Sequence, residues 1–563
     1  MKNLTKKTVA MLMAAVTLVG GAAAFAGCKT SNQATNEANE IEILYWESGM
    51  GIEFLKKMKE GFEAKYPEYS VYINATADLS TVTGSTIDKG EATGDTVDLY
   101  MGTGGSFMSV RDNLVTFDEL LEEEIEGEGV KLKDKVRAEF LEGQVYEGKT
   151  YALPWINSPM SIVYNKSVFD EMGYELPRTT NELAELAVTI LSDGQSTGIT
   201  YEGKKLTAPN TNNAPSPFIH AKSGYEYWTN ILFAWVAQYE GLEEYNYMQG
   251  GAWYDEADGK VYSPSINSVS PRGKLEALKA LEKVISPTGH SYYASNGYTH
   301  TEAQTYFLNT AALMMPNGAW LENEMKVHQT PYDFSMMMLP VISSLGEKLG
   351  ISEAQLAELV SFADSGDYLT GVTAEGRGYK KSVVDAVLAK ENGEEIAAEV
   401  AKARGIVFNN GGSQRFIVPK YTNNLDGVKK FIKYFYSDEG MATYMNYTKT
   451  PSLGKFADES KMPDISTWSA FTKSCAEINE KTTVIVNLRN NDFLAANSQI
   501  STMWKTSVPA ALTNPNDGDR MTAKQIFKTD LEYFKTQWPI VCQILNITES
   551  DSNFRAVEES LYK

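Results

Sequence analysis

Apolar and polar positions change rhythm along this chain in a regular order. Residues 40–47 alternate and end on Tyr45-Trp46, as a strand running into a loop does. Phe54, Leu55, Met58 and Phe62 then recur at helical spacing, and Pro67 closes that segment. Val71 to Ile73 predicts the next strand, and Val97 to Met101 another, entering Gly102-Thr103-Gly104-Gly105. Strand, helix, strand, helix, strand is the signature of a mostly parallel α/β sheet, whose ligands sit beyond the carboxyl ends of its strands. Residues 343–404 differ in texture. They are rich in Ala, Glu, Lys and Leu, with Ile351, Leu356, Leu359 and Val360, then Val383, Val384, Ala386 and Val387, in helix-like rows. They predict a helical insertion. Residues 195–224, dense in Thr, Asn, Pro and Gly, predict a long surface loop near the ligand.

The amino-terminal segment breaks this rhythm. Lys2, Lys6 and Lys7 precede an uncharged, largely apolar run over residues 8–26, and a polar stretch follows. A positive start, a short apolar run and small residues at its end make a secretory signal. Cys28 directly after Ala26-Gly27 looks like a bacterial lipobox, with Cys28 the lipidated first residue; Phe25 stands where Leu, Val or Ile is usual. Cleavage after Ala26 is the other reading, because Ala24-Phe25-Ala26 also fits the small-x-small rule. No other run reaches the ~20 apolar residues of a membrane span, so contact with the membrane is expected through the lipid anchor only.

The formal charge of −22 becomes −25 once the three leader lysines are gone, which disfavours nucleic acid and anionic lipid as partners. A chain of 563 residues has room for two to four domains at roughly 100–200 residues each. Beyond Cys28 only Cys475 and Cys542 remain, open either to a disulfide or to two thiols.

One motif is a decoy. Gly143-Gln-Val-Tyr-Glu-Gly148-Lys149-Thr150 matches the phosphate-loop pattern, but that loop must open a helix and Tyr151-Ala-Leu-Pro154 cannot start one. Residues 145–153 predict instead a hairpin turning at Glu147-Gly148. No H-E-x-x-H, Cys/His cluster or EF-hand loop suggests a metal, and no cofactor is implied. His220, His290, His300 and His328 stand in no nucleophile setting, so no catalytic residues are expected.

The hairpin begins a resemblance. Tyr151-Ala-Leu-Pro-Trp155 followed by Ser161-Ile-Val-Tyr-Asn165-Lys166 resembles the extracellular solute-binding proteins of carbohydrate ABC importers, the maltose-binding protein superfamily. Leu176-Pro-Arg-Thr-Thr-Asn-Glu-Leu183 resembles that family's "P-x-T-W-x-E-L" helix start, with Thr180 for the usual Trp. Ala311-Ala-Leu-Met-Met-Pro-Asn317-Gly318-Ala-Trp320 resembles its strand-to-Gly-x-Trp turn, and the run from Val428 to Gly440 its helix ending in "S-x-E-G". The resemblance implies an α/β, two-lobed, periplasmic-binding-protein-like (type II) fold with crossing hinge segments near 153–156, 329–333 and 447–452. A signal peptide would fill 1–27 and a polar tether 28–40. Lobe one would be 40–154 plus 332–448, decorated by the insertion, and lobe two 155–331 plus 450–563.

Sugars present hydroxyl edges and weakly apolar C–H faces, so their sites pair flat aromatics with Asp, Glu, Asn and Arg. Carried over by position, the family's site falls on Trp46, Glu47, Gly102, Thr103, Trp155, Ser158, Tyr227, Trp228, Asn317, Trp320 and Trp504. Gly102-Thr103-Gly104 departs from the aromatic or carboxylate that related sugar binders often carry there, which leaves room for a larger ligand or for no sugar. Each residue has a plainer reading: Trp155 as a hinge wedge, Trp228 and Trp504 as core, Trp46 and Trp320 as packing between lobes. Asn409-Asn410-Gly411-Gly412 with Arg415 reads as a cleft loop or an ordinary turn, and Trp253-Tyr254 and Tyr292-Tyr293 as outer subsites or rim aromatics. The expected function is a lipid-anchored protein on the outer face of the bacterial cell membrane, capturing an oligosaccharide for an ABC permease. The alternatives are a peptide or other polar solute, a cell-surface glycoside hydrolase, and an adhesive surface protein.

Overall fold

The fold is built around two sheets, which the chain visits in turn. The computed structural model describes residues 39–76, 96–102, 107–222, 227–250, 266–367, 378–485, 504–545 and 557–563, apart from 48, 143, 147, 268, 413 and 517. It also describes short pieces at 87, 253–255 and 260–262. Cys28, Thr103 and the whole leader and tether expectation up to residue 38 lie outside the described residues. The first sheet takes β1 (Glu40–Trp46), β2 (Ser70–Thr76), β3 (Leu99–Gly102) and β4 (Leu153–Pro154). The second takes β5 (Pro159–Asn165), β6 (Ser216–Phe218), β7 (Ala312–Gly318), β8 (Phe334–Met337) and β9 (Ile406–Asn409). The chain then returns to the first sheet for β10 (Arg415–Ile417) and ends its strands in the second with β11 (Thr483–Ile485). Their orders are β2-β1-β3-β10-β4 and β6-β7-β5-β9-β11, with β8 also paired to β5.

Local chemistry accounts for these elements. In β1 the alternation sends Ile41, Ile43 and Tyr45 into the core at no measurable exposure, and its pairing with β2 and β3 is parallel, as expected. Helix α1 (Glu53–Lys65) buries Phe54, Leu55, Met58 and Phe62, the four residues of the helical row. The decoy segment is a hairpin, Val145–Tyr146 paired with Lys149–Thr150, and Gly148 takes the left-handed φ of +72° that its turn needs. Helix α2 (Thr180–Gln195) starts where Thr179 caps the backbone N–H of Glu182. Two further helices of the second lobe, α3 (Trp228–Glu240) and α4 (Arg272–Ile285), are buried along most of their length.

The expected lobe boundaries need correction in the middle of the chain. Residues 332–409 belong with the second sheet, because β8 pairs with β5 from Phe334↔Asn165 to Met337↔Ile162 and β9 pairs with β5 and β11. The segment expected to be helical is so, but its helices α5 (Glu353–Phe362), α6 (Lys381–Leu388) and α7 (Gly393–Arg404) decorate lobe two, with α7 packed on α3. Two buried polar contacts lock them there. Arg404 is bidentate to Asp364 at 2.8 Å and donates to the Leu339 carbonyl at 3.0 Å, and Arg178 reaches Glu358 at 3.2 Å. The second crossing is therefore 410–414, not 329–333.

Lobe one closes with α8 (Leu425–Tyr436) and α9 (Asp438–Thr448). The third crossing runs later than expected. Lys455 N–H donates to the Lys135 carbonyl at 3.0 Å, and Ala457 N–H to Asp438 at 2.8 Å, before α10 (Ala470–Lys481) packs on β8. The 195–224 region, expected to be a long surface loop, carries regular structure among its described residues. It holds the hairpin Thr200–Tyr201 with Lys204–Lys205, whose Tyr201 ring meets Tyr332 at 5.0 Å, and the strand β6. Cys475 is a buried thiol of α10, and it is not bridged to Cys542.

Candidate ligand cleft

Strand directions decide which ends face each other. Gly102 pairs with Arg415 and Arg415 with Pro154, so the ends of β1, β3 and β4 gather at one edge of the first sheet. In the second sheet Gly318 pairs with Met160 and Asn409 with Pro159, which brings Ser158, Asn317 and Asn409 to the corresponding edge. The crossing segments join these two edges, so the strand ends of the two sheets lie on either side of the junction between the lobes.

The hinge is built on two asparagines. Asn409 Oδ1 accepts from Ser158 N–H at 3.1 Å and from Gly411 N–H at 2.8 Å, while its Nδ2 donates to Asn157 Oδ1 at 2.8 Å. Asn157 Nδ2 in turn donates to the Ser452 carbonyl, so one buried amide pair ties the first two crossings to the lobe-one segment that leads into the third. A Cβ at Gly411 would lie 2.7 Å from the Phe140 ring and 2.9 Å from the Ile156 carbonyl, which explains glycine where two crossings pass. The sequence leaves 409–412 open to a cleft loop or an ordinary turn; the Asn-Asn-Gly-Gly string is the signal for a crossing.

Above the hinge the lobes touch. Trp320, 7 % exposed, lies over Gly318, where a Cβ would fall 2.1 Å from its ring, and against Gly49, where a Cβ would fall 3.1 Å away. Tyr227, held at φ +57°, meets Trp320 edge-on at 5.4 Å. Asn323, in the short helix Leu321–Glu324, donates its Nδ2 to the Gly49 carbonyl at 2.6 Å. On the lobe-one side Trp46 is half-buried at the end of β1, and Glu47 is exposed with its N–H bonded to the Thr76 carbonyl at 2.9 Å. Arg415 is buried at the same edge, and burial pushes its guanidinium down to about 9. It still carries its charge at neutral pH.

The expected site residues thus divide. Tyr227 and Trp320 meet each other and reach Gly49 of lobe one, in the loop that follows Trp46 and Glu47 at the end of β1. Gly102, Ser158 and Asn317 are buried, Ser158 Oγ accepting from Ala319 N–H at 3.1 Å and Asn317 Oδ1 from Gly318 N–H at 2.8 Å. Three tryptophans are core instead. Trp155, fully buried, stacks on Phe54 at 6.0 Å and edges Tyr45 at 5.6 Å, so it is the hinge wedge. Trp228, equally buried, packs on Phe218 and Trp235. Trp504, 7 % exposed, packs on Phe233 beneath the Lys274 ammonium. Tyr292 and Tyr293 lie along the outer edge strand β6, where Ser291 bridges Phe218. Trp253 stands in a two-stranded hairpin with Tyr262.

Comparison with known proteins fits this architecture. A chitin oligosaccharide binding protein superimposes with a TM-score of 0.54 at 15% identity, over 90% of this chain and 100% of that one. The solute-binding protein RafE in complex with raffinose gives 0.52 at 15% identity, over 88% and 98%. In sequence, 239 residues are 26% identical to the diacetylchitobiose binding protein NgcE of Streptomyces coelicolor, covering 42% of this chain and 42% of that relative. A further 334-residue match, 22% identical, covers 58% of this chain and 67% of the multiple sugar-binding protein of Streptococcus mutans. Residues 50–442 match the sequence family described as bacterial extracellular solute-binding protein. That match covers well over half of the chain, which belongs to this family of two-lobed solute-binding proteins.

Proposed function

We propose that this protein captures an oligosaccharide between its lobes and delivers it to an ABC permease, held to the outer membrane face by a lipid on Cys28. The observation that carries the reading is the Tyr227–Trp320 pair of lobe two resting on Gly49 of lobe one, three residues beyond the half-buried Trp46 and two beyond the exposed Glu47. Aromatic faces accept the C–H surface of a sugar ring and a carboxylate accepts its hydroxyls. Its similarity to a diacetylchitobiose binding protein and a multiple sugar-binding protein supports a carbohydrate over a peptide. A ligand that bridges both lobes favours the closed arrangement by its extra contacts there.

The test is a thermal-shift screen of the leaderless protein against chito-, malto-, xylo- and raffinose-series oligosaccharides, with a peptide mixture alongside. A ligand that binds only the folded state raises the melting temperature. A shift with one glycan series, with the glycan recovered intact, supports the reading; a shift with peptides alone sinks the substrate class. For the anchor, Cys28→Ser should release the protein from the cell surface into the medium, and surface retention of that variant would exclude lipidation there.

A further inference from the structure

We propose that the outer edge of the second sheet carries a second saccharide site, centred on Tyr293 and separate from the cleft. A cavity of about 410 Å³ lies there, within the size range of small-molecule sites, roughly 300–1,000 Å³. Its walls come from the segment entering β6, from residues 285–296, and from Thr513, Pro515 and Arg520. β6 is the edge strand, and Ser216 pairs with Ala312 at the start of β7, six residues from the cleft residue Gly318. At about 3.3 Å per residue that is roughly 20 Å along the strand.

Three features of the cavity point to a neutral, hydroxylated ring. The first is Tyr293, a phenol ring 75 % exposed at the cavity wall. It is backed by Tyr292, 3 % exposed, at 4.8 Å, and Tyr292 belongs to a tyrosine cluster in which Tyr298 stacks on Tyr306 at 4.5 Å. The cluster also grips the facing loop, through Tyr292 Oη to the Pro209 carbonyl at 3.3 Å and Asn210 Nδ2 to Tyr306 Oη at 3.2 Å. An exposed ring on a fixed support is ordered before ligand arrives, so little entropy is lost on stacking.

The second is a fixed amide on the cavity wall. His220, fully buried, meets Asn296 Oδ1 through Nε2 at 3.1 Å, and Asn296 Nδ2 donates to Thr513 Oγ1 at 3.0 Å. Both ends of the Asn296 amide are thereby oriented, beside Asn213 and Ser216, for hydroxyl groups. The third is charge. Among the described residues no carboxylate lines this cavity, and Arg520 is the one charged side chain. The described lining thus favours a neutral ligand over a cation, and Arg520 is itself anchored, its Nε donating to the Asn514 carbonyl at 3.0 Å. A surface site of this kind would hold a long glycan near the protein while the cleft takes one end.

Native electrophoresis through gels containing xylan, glycol chitin or soluble starch tests this, with wild type, Tyr293→Ala, Asn213→Ala and the cleft variant Trp320→Ala compared. In at least one gel, wild type and W320A should be retarded alike. Y293A should lose about fivefold or more of the apparent affinity, as expected from the loss of about 1 kcal/mol of stacking. N213A should lose part of it. The melting temperature of Y293A and its thermal shift with the cleft ligand should match wild type, which separates this site from the proposed transport function. No retardation in any gel overturns the proposal. So does retardation lost in W320A but kept in Y293A, or kept in every variant.

Discussion

Asn323 of lobe two donates to the backbone carbonyl of Gly49 in lobe one at 2.6 Å, next to the point where Trp320 rests on that glycine. The loop it meets is fixed from below, because Tyr45 Oη donates to the Gly51 carbonyl at 2.6 Å. The contact exists only while the lobes are together, so it biases the open–closed equilibrium. One hydrogen bond contributes about 0.5–1.5 kcal/mol. Asn323→Ala should therefore weaken ligand binding about two- to tenfold and enlarge the unliganded radius of gyration in X-ray scattering. An unchanged radius and affinity would show that the contact holds no bias.

Asn409 predicts a different loss. It is 1 % exposed and satisfies the backbone N–H groups of Ser158 and Gly411 while bonding Asn157. Asn409→Ala orphans both donors inside the hinge, at about 1–3 kcal/mol each. The variant should be destabilised by about 2–4 kcal/mol in urea unfolding, because partial relaxation recovers some of the cost. A loss under 1 kcal/mol would mean that water replaces the amide.

These two asparagines also mark where sequence reading stopped. The alternation of β1 and the Phe54-Leu55-Met58-Phe62 row were legible because period alone decides which face is buried. The helices of the insertion were legible for the same reason, but their lobe was not. An amphipathic row says that a helix packs, not on what, and here the answer rests on β8 and β9 pairing with β5. For Trp155, Trp228 and Trp504 the sequence leaves two readings open, a ligand platform at the family's site positions or a hinge wedge and core residues, and their burial favours the second. Whether an indole faces a cleft or a core depends on a few degrees of backbone, which residue type does not encode.

The tryptophans therefore divide by experiment. Trp228→Ala removes a fully buried side chain packed on Phe218 and Trp235 and should cost about 3–5 kcal/mol of stability. Trp46→Ala, at a half-buried strand end, should change stability by about 1 kcal/mol or less yet lower ligand affinity tenfold or more. The two numbers come from one set of urea titrations and one set of calorimetric titrations. Equal stability losses would place Trp46 in the core; an unchanged affinity would remove it from the cleft.

His220 makes stability depend on pH with a defined sign. Its ring is fully buried, Nε2 is bonded to Asn296, and Nδ1 has no partner, so a second N–H would have nothing to donate to. Burial accordingly pushes its pKa down to about 4, against about 6.5 in the unfolded chain. Above pH 6.5 both states are neutral and the residue contributes no pH dependence. As pH falls below 6.5 the unfolded chain gains a proton that the folded one refuses, so stability is lost until pH reaches about 4. Between pH 7 and pH 5 this amounts to about 2 kcal/mol. His220→Asn keeps a polar side chain but cannot titrate, so its stability should fall by about 2 kcal/mol less than that of wild type over the same interval. Parallel pH profiles for the two proteins would mean that His220 is protonated inside the fold, with a donor path to an acceptor that its buried Nδ1 does not have in this structure.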